Sequence, residues 1–492
     1  MGNSLGDHRL NRRALLATGA ALFGSGAAAK IISTPGVADA AVPTSAWKHL
    51  AGELDGKLLR PGDDGFARAA STFDPRRDGK RPVAIVRAAS AGDVAAAFAF
   101  CRSHGVHPRP RSGGHSYVGA STGNGVLVID VRPMHGVHYH AEDHKVTVGA
   151  GAVLGDLHQT LDRHGRTVPT GTCPTVGAAG LTLGGGIGTE SRLYGLTADA
   201  LTGGTLVSPS GHIHRFGRHT DADLFWGLRG GGGGNFGVVT SLTYATSPAL
   251  PGTIFRLSWG HHDNHRVLMG WQERLAHLPR HSWANLHLDT AGGVVSPSIT
   301  GVCWDRGASR EIKAMVDAIG REPLSRRTYA ESHAGAMGWF AGGANGRTRQ
   351  SWYAGSDVVG HAITSARTKD IIAAVRKWNG SGAAAAIFDP LGGAVSDLGA
   401  ADTAFRWRHA NATVQWYVGL SSTSRANVGR ATDWVAGCHH AIGRSSVGGY
   451  LNYLEPGRKL SDYSGDNYDR LLSLNTKYDP HGILNSRYSL PG

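Results

Sequence analysis

The chain has 492 residues, of which 41% are hydrophobic, so it can bury two or three packed cores and disorder is not expected. The formal net charge is +13, but no run of Lys and Arg is interleaved with aromatic residues, which favours a diffusely basic surface over a nucleic-acid-binding protein. The 72 glycines have no fixed period, which excludes collagen, and they cluster in a few loops where backbone can approach a large ligand closely.

The first 40 residues have the pattern of an export signal. Arg12-Arg13 precedes a weakly apolar, Gly/Ala-rich stretch that runs to about Ala29, and Ala38-Asp39-Ala40 forms a small-x-small cleavage pattern. This order predicts a twin-arginine signal in residues 1–40 and a secreted or cell-wall-associated bacterial protein. An ordinary secretory signal or a short membrane anchor is the alternative. The stretch is a poor spanning helix, and no stable membrane anchor is expected after cleavage.

Short strands and helices alternate between about residues 45 and 247. Strands are predicted at residues 82–87, 126–131, 145–148 and 238–244, and helices at 90–104, 155–164 and 221–228. Ser90 and Asp93 form a capping pair for the first of these helices, and Gly105 ends it. The alternation predicts an α+β nucleotide-binding domain over residues 45–247.

The character of the chain changes after residue 247. Glycine loops become sparse, and ten of the 12 tryptophans lie between there and residue 448. Alternating runs at residues 283–289 and 299–304 predict sheet, and helices are predicted at 264–278, 308–319, 362–378 and 424–441. A second domain over residues 248–448 is therefore expected, with most tryptophans in its core and one or two in a cleft. A tail over residues 449–492, with a helix at 463–478, is expected to return to the first domain.

Two glycine runs, at residues 184–188 and 230–234, invite a nucleotide-binding interpretation. Neither has the G-x-G-x-x-G spacing of a Rossmann fold or the G-K-[ST] ending of a P-loop, although backbone N–H groups in such loops can still hold a pyrophosphate. The four cysteines include no C-x-x-C pair, so no metal site is predicted. A disulfide between Cys303 and Cys438 stays open.

The two most informative residues are His115 and Cys173. His115 lies in the segment RSGGHSY at residues 111–117, and Cys173 lies in GTCPTVG at residues 171–177. Each is a nucleophilic side chain on a glycine-dense loop, an arrangement that suits a double attachment to a large planar cofactor. The alternative is a loop histidine and a buried cysteine that only pack.

Taken in order, these motifs resemble one family, the berberine bridge enzyme-like FAD-linked oxidases of the vanillyl-alcohol oxidase superfamily. The matching segments are residues 111–116, 171–177, 184–188, 224–230, 233–239, 392–395, 404–405, 450–453 and 477–480. The resemblance implies an α+β protein with a two-part PCMH-type FAD-binding domain. It also implies a substrate-binding domain with a large antiparallel sheet covered by helices.

The resemblance also implies covalently bound FAD. A ring nitrogen of His115 would bond the flavin 8α-methyl group, and the sulfur of Cys173 would bond flavin C6. The other cofactor-binding residues that it implies are Arg111, Ser112, Gly113, Gly114, Ser116, Thr175, Val176, Gly177, Gly180, Gly185, Gly186, Gly188, Val239 and Asn452.

In that family a base takes the substrate hydroxyl proton, hydride passes to flavin N5, and oxygen reoxidises the flavin to give hydrogen peroxide. The base lies in a Tyr-x-Asn-Tyr strand, so the resemblance implies Tyr450 as the base here, with packing as its alternative role. Period-2 alternation would place Tyr450 and Asn452 on one face and Tyr453 on the other. Asp389 is a candidate partner for the proton, because a free tyrosine titrates near pH 10.

Val176 stands three residues after Cys173, where a small side chain accompanies oxygen use in plant relatives. The resemblance therefore implies an oxidase whose partners are O2 and a small hydroxylated molecule, such as an oligosaccharide or a glycosylated secondary metabolite. Two alternatives are a dehydrogenase with another electron acceptor and a non-enzymatic, tryptophan-rich wall- or carbohydrate-binding protein.

Overall fold

The computed structural model describes residues 42–342, 346–485 and 489. The predicted export signal in residues 1–40 lies outside the described residues. From Thr44 onward the described residues form one compact unit. The domain boundaries near residues 247 and 448 stay predictions. No helix in the described part of the chain is long and apolar enough to cross a membrane.

The strands lie in two small sheets, a two-stranded pair and one large sheet. In chain order they are β1 Lys57–Leu59, β2 Ala84–Arg87, β3 Pro108–Arg111, β4 Leu127–Asp130, β5 Val137–His140, β6 Lys145–Gly149, β7 Arg166–Thr167, β8 Leu201–Val207, β9 Ile213–Gly217, β10 Val238–Ala245, β11 Ser247–Pro248, β12 Gly252–Ser258, β13 Ser282–Ala291, β14 Val294–Trp304, β15 Ser325–Glu331, β16 Trp352–Val359, β17 Ala384–Pro390, β18 Ala412–Gly419 and β19 Ser446–Gly448.

The helices are mostly short before residue 260 and longer after it. They are α1 Thr44–Glu53, α2 Phe66–Ala70, α3 Ala91–His104, α4 Leu154–Asp162, α5 Ala178–Leu183, α6 Ser191–Tyr194, α7 Thr197–Ala200, α8 Ala222–Gly227, α9 Asn264–Leu275, α10 Ser309–Ile319, α11 His333–Phe340, α12 Ser365–Arg376, α13 Arg425–Ile442, α14 Ser461–Ser464 and α15 Tyr468–Tyr478.

The first half of the chain builds two sheets, of order β1-β2-β4-β3 and β5-β6-β10-β8-β9. In the first sheet β4 pairs in parallel with β2 and β3, and the crossover is α3. The predicted cap at Ser90 and the stop at Gly105 are confirmed, because Ser90 Oγ accepts the N–H of Asp93 and Gly105 ends the helix at φ 66°. The Asp93 carboxylate instead accepts the N–H groups of Asp55, Gly56 and Ala89. This arrangement places the loop after β3, which carries His115, at one end of the parallel strands.

The second half builds an antiparallel sheet of order β15-β12-β14-β13-β17-β18-β16-β19. Helices α9, α10, α12 and α13 pack on one face and bury the largest apolar cluster, which includes Trp271, Trp416 and Trp434. The short helix α11 packs on one end of the other face, against Ile254 and Trp304, and the rest of that face carries polar and aromatic side chains such as Asn285 and Tyr417. The predicted fold class, an α+β protein with a helix-covered antiparallel sheet, is confirmed.

One prediction in the tail is wrong, and a second is confirmed only for α15. Residues 450–453 are not a strand: Leu451–Tyr453 is a 3-10 helix, because the N–H of Tyr450 donates to Ser356 Oγ and that of Tyr453 to the carbonyl of Tyr450. The helix predicted at residues 463–478 is interrupted at Gly465, which has a φ of 51°, and only α15 continues. The tail then contacts α8, where Tyr478 donates to the Asp221 carboxylate.

Candidate active site

The glycine loops of the first half and the free face of the large sheet enclose a cavity of about 880 Å³. Its floor comes from the loops after β3 and before α5, and its wall comes from β12, β13, β17 and β18. The volume lies at the upper end of ordinary ligand sites and suits an elongated ligand with a substrate beside it.

The imidazole of His115 is held firmly at the floor of this cavity. Its ring stacks on Phe73 at a centroid distance of 4.0 Å, and its Nε2 lies 3.0 Å from Thr175 Oγ1. Burial lowers the pKa of His115 to about 4, so the ring is neutral at neutral pH. Thr175 occupies Nε2, which leaves Nδ1 as the nitrogen available to a ligand.

The thiol of Cys173 is exposed to the same cavity. The surrounding protein nevertheless desolvates the group and raises the pKa of Cys173, so the thiolate is its minor form at neutral pH. Cys303 and Cys438 are buried and free, which removes the disulfide that the sequence left open.

The two loops that carry His115 and Cys173 contact each other backbone to backbone. A Cβ built on Gly113 would lie 2.3 Å from the nitrogen of Gly177, and one on Gly177 would lie 2.4 Å from the nitrogen of Gly113. Only glycine permits this approach. At Gly180, in contrast, an added Cβ would meet no protein atom within 4 Å, so this glycine opens directly onto the cavity.

The hydroxyl oxygen of Tyr450 accepts three hydrogen bonds. The backbone N–H groups of Gly186 and Ile187 donate to it at 3.1 Å each, and Asn452 Nδ2 donates at 2.8 Å. Burial raises the pKa of Tyr450, and the three donors oppose that shift by stabilising the phenolate. Because three donors point at the hydroxyl oxygen, the site is suited to stabilise negative charge on that oxygen.

A second tyrosine pair lies beside Tyr450. Tyr453 packs edge-on against Tyr450 at 4.9 Å and stacks on Tyr117 at 5.0 Å between ring centroids. Gln415 Nε2, from β18, donates to the Tyr117 hydroxyl at 2.7 Å. Burial raises the pKa of both Tyr117 and Tyr453 well above the usual range, so both are neutral phenols.

Asp389, near the end of β17, is the carboxyl group on this part of the sheet wall. Asn285 Nδ2 donates to it at 3.4 Å, and burial raises the pKa of Asp389 to about 6. The carboxyl charge also acts on Tyr450 and Tyr453 and raises the pKa of each. Asp389 is therefore close enough to couple electrostatically to the tyrosines and titrates in a range useful for proton transfer.

Most of the site residues predicted from the sequence meet in this cavity. Those that line it are Ser112, Gly113, Gly114, His115, Ser116, Cys173, Val176, Gly177, Gly180, Gly188, Val239, Tyr450 and Asn452. Thr175 and Gly186 contact residues that line the cavity. Thr175 Oγ1 hydrogen-bonds to His115 Nε2, and the N–H of Gly186 donates to the Tyr450 hydroxyl. Gly185 packs instead against Phe405, 2.8 Å from where its Cβ would lie.

The side chain of Arg111, predicted to bind the cofactor, lies outside the cavity. Its guanidinium is fully buried, lies 3.3 Å from Asp130 Oδ2 and donates to the carbonyls of Ala69 and Ala70. The side chain therefore ties β3 and β4 to the segment after α2 and does not line the cavity. An arginine directly before a glycine loop is a local pattern, and only the fold reveals that Asp130 lies beside it.

The wall residues on the large sheet were missed by sequence reasoning. They alternate along their strands and all face the cavity: Arg256, Trp283, Asn285, His287, Thr300, Ile387, Gln415 and Tyr417. The period-2 pattern was visible in β13, but no local signal tells which face of a sheet is covered by helices.

Comparisons with known proteins identify FAD-linked oxidoreductases as relatives. A family model described as an FAD binding domain matches residues 82–217. A chitooligosaccharide oxidase of Gibberella zeae is 29% identical over 437 residues, which cover 83% of this chain and 87% of that protein. Berberine bridge enzyme-like 18 of Arabidopsis thaliana is 26% identical over 479 residues, which cover 88% of each chain. A solved chitooligosaccharide oxidase structure matches with a TM-score of 0.81 and 26% identity, covering 91% of this chain and 99% of that one.

Proposed function

The chain belongs to the berberine bridge enzyme-like FAD-linked oxidoreductases, and on that premise we propose that it is an oxidase of a hydroxylated substrate with FAD bound covalently through His115 and Cys173. The observation that carries the proposal is that His115, Cys173 and Tyr450 line one cavity. Two of these side chains suit flavin attachment, and the third suits proton removal.

The residues present fit a flavin dinucleotide. The cavity is floored by glycines such as Gly180, beside which no protein atom fills the place of a Cβ. Neutral His115 offers Nδ1 as a nucleophile, because Nε2 is held by Thr175. Cys173 offers a sulfur exposed to the same space, although it must lose its proton before it reacts.

When bound, FAD would accept hydride from the substrate and pass the electrons to oxygen, giving hydrogen peroxide. The chain would supply Tyr450 as the base for the substrate hydroxyl. Two backbone N–H groups and Asn452 would stabilise the phenolate on that residue. Asp389 would receive or share the proton at the sheet wall, since its pKa of about 6 leaves the carboxylate ionised at neutral pH.

Several features support an oligosaccharide or glycosylated alcohol as the substrate class. Trp283, Trp339, Phe340 and Trp352 line the cavity, and flat aromatic faces suit sugar rings. Asn285 Oδ1 is buried without a hydrogen-bond partner among the described residues and can accept from a substrate hydroxyl. The relative named chitooligosaccharide oxidase points to the same class.

Val176 lines the cavity with a small side chain and supports oxygen as the acceptor. The competing proposal is a dehydrogenase that passes its electrons elsewhere. Purified enzyme reduced by substrate and then exposed to air should release about one peroxide per flavin. Rapid flavin reduction by substrate, with no peroxide and no reoxidation in air, would favour the dehydrogenase.

Acid precipitation tests the covalent attachment. The precipitated wild type should be yellow, and a proteolytic digest should give one flavin-linked species that joins the peptides of His115 and Cys173. His115→Ala and Cys173→Ala should each retain a single attachment, and the double variant should release all flavin. A colourless wild-type pellet, from cells supplied with riboflavin, would contradict the proposal.

We also propose export by the twin-arginine route, with support from the sequence pattern alone. Replacement of both Arg12 and Arg13 by lysine should leave the protein in the cytoplasm, whereas the wild type should reach the medium or the cell wall. Equal distribution of the two proteins would argue for another route.

A further inference from the structure

The cavity wall ends in a pair of arginines that have no carboxylate partner. Arg256 on β12 lines the cavity and pairs directly across the strand with Arg327 on the edge strand β15. Neither forms a hydrogen bond or an ion pair with another described residue. Directly opposed side chains on antiparallel strands lie about 5 Å apart at Cβ, and like charges there destabilise the sheet.

The opposite face of β15 carries an arginine that does have a carboxylate partner. Arg326, one residue away, pairs with Glu322 at 3.3 Å. The cavity face offers Arg256 no such partner, and the groups that follow it across the sheet are Thr300 and Asn285. Positive charge is thus concentrated, unneutralised, on the side of the sheet that faces the cavity.

Neighbouring groups extend this arginine pair into a recognition surface. Trp283 lines the cavity, and its indole N–H is buried with no acceptor among the described residues. Asn285 is also buried and has an unpartnered Oδ1. Beside the Arg256 guanidinium, the wall therefore holds an indole N–H and an amide oxygen that no described residue satisfies.

We propose that the substrate is a hydroxylated organic anion whose carboxylate binds Arg256, with Arg327 adding charge at the rim. The inference rests on the proposed oxidase function and names its substrate class. The register Arg256–Thr300–Asn285 continues to Asp389 on β17, three strand spacings away, which is about 14 Å between backbone positions. The oxidised carbinol lies at the Asp389 end, so the carboxylate is at the far end of an elongated molecule.

Two chemical sources share this description, an acidic sugar chain and a carboxylated aromatic glycoside. The assay is steady-state turnover with an artificial electron-accepting dye in the absence of oxygen, so its result does not depend on the natural electron acceptor. It compares a neutral disaccharide with the disaccharide that ends in the matching uronic acid, and an aryl glycoside with its carboxylated form. In wild type, kcat/KM for at least one acid should exceed that for its neutral partner by about tenfold.

Arg256→Met should abolish that preference by raising KM for the acid while kcat stays unchanged, since the contact is remote from the reacting atoms. Arg256→Lys should restore part of it, and Arg327→Gln should lower it by a smaller factor. Arg326→Gln is the matched control on the other face and should change nothing. Added salt should raise KM for the acid only.

Equal kcat/KM for acids and neutral partners in wild type would overturn the inference, as would an acid preference that survives Arg256→Met. If no pair reduces the flavin, the proposed function fails separately. Equilibrium binding of the two acids then tests whether Arg256 recognises a carboxylate. Perturbation of the flavin spectrum by the uronic acid or the carboxylated glycoside in wild type, lost in Arg256→Met, supports it, and no perturbation by either acid overturns it.

Discussion

Replacing His439 with Gln tests an ionic network behind the Tyr450 loop. His439, on α13, places Nδ1 2.6 Å from Asp357 Oδ2 and Nε2 2.7 Å from Glu455 Oε2. Glu455 in turn accepts the backbone N–H of Ser356, whose hydroxyl accepts the N–H of Tyr450. Both ring nitrogens face carboxylates, so both must donate, and the imidazolium is the form that fits.

The contribution of His439 to the free energy of unfolding follows from its pKa. Burial alone would lower it, but the hydrogen bonds and charges of Asp357 and Glu455 outweigh burial and raise the pKa of His439 to about 9. Against an unfolded value of about 6.5, this corresponds to about 3 kcal/mol of stability. Because the folded pKa is the higher one, that stability is fully present below about pH 6.5 and is lost as pH rises through about 9.

Thermal unfolding of the flavin-loaded protein at pH 6 and pH 10 measures the effect. A chain of about 450 folded residues has an unfolding entropy near 1 kcal/mol/K, so the loss of about 3 kcal/mol should lower Tm by about 3 °C at pH 6. At pH 10 wild type and His439→Gln should melt together. His440→Gln, an exposed neighbour, should match wild type at both pH values. An equal drop in Tm for His439→Gln at both pH values would refute the reasoning.

Three further predictions concern the cavity. Gly113→Ala should lose soluble protein, because its Cβ would lie 2.3 Å from a backbone nitrogen, whereas Gly180→Ala should still fold, as measured by soluble yield and circular dichroism. In Tyr450→Phe, substrate should reduce the flavin about 10²- to 10⁴-fold more slowly, with unchanged flavin content. If Tyr453→Phe slowed flavin reduction more than Tyr450→Phe did, Tyr453 would be the base. In wild type, kcat/KM should fall below about pH 6 as Asp389 gains its proton. Asp389→Asn should react more slowly, and its kcat/KM should no longer fall below about pH 6. A fall of kcat/KM in the variant like that of wild type would exclude Asp389 as the proton partner.

Local signals explain which parts of the fold could be predicted. Helix α3 begins at Ser90 and ends at Gly105 because a cap and a left-handed glycine act within one turn of the chain. The segment at residues 450–453 shows the limit of such signals. The resemblance implies a strand there, but the N–H of Tyr450 bonds to the side chain of Ser356, 94 residues away, and Leu451–Tyr453 forms a 3-10 helix.

The sequence by itself determined the fold class and placed His115 and Cys173 on glycine loops, because nucleophiles, caps and close-approach glycines are encoded within a few residues of each other. Only the tertiary structure decided that Arg111 forms an ion pair with Asp130, that three donors hydrogen-bond to the Tyr450 hydroxyl, and that Arg256 faces the cavity. Those facts depend on sheet register and on which face the helices cover, and both are set by burial of side chains far apart in the chain.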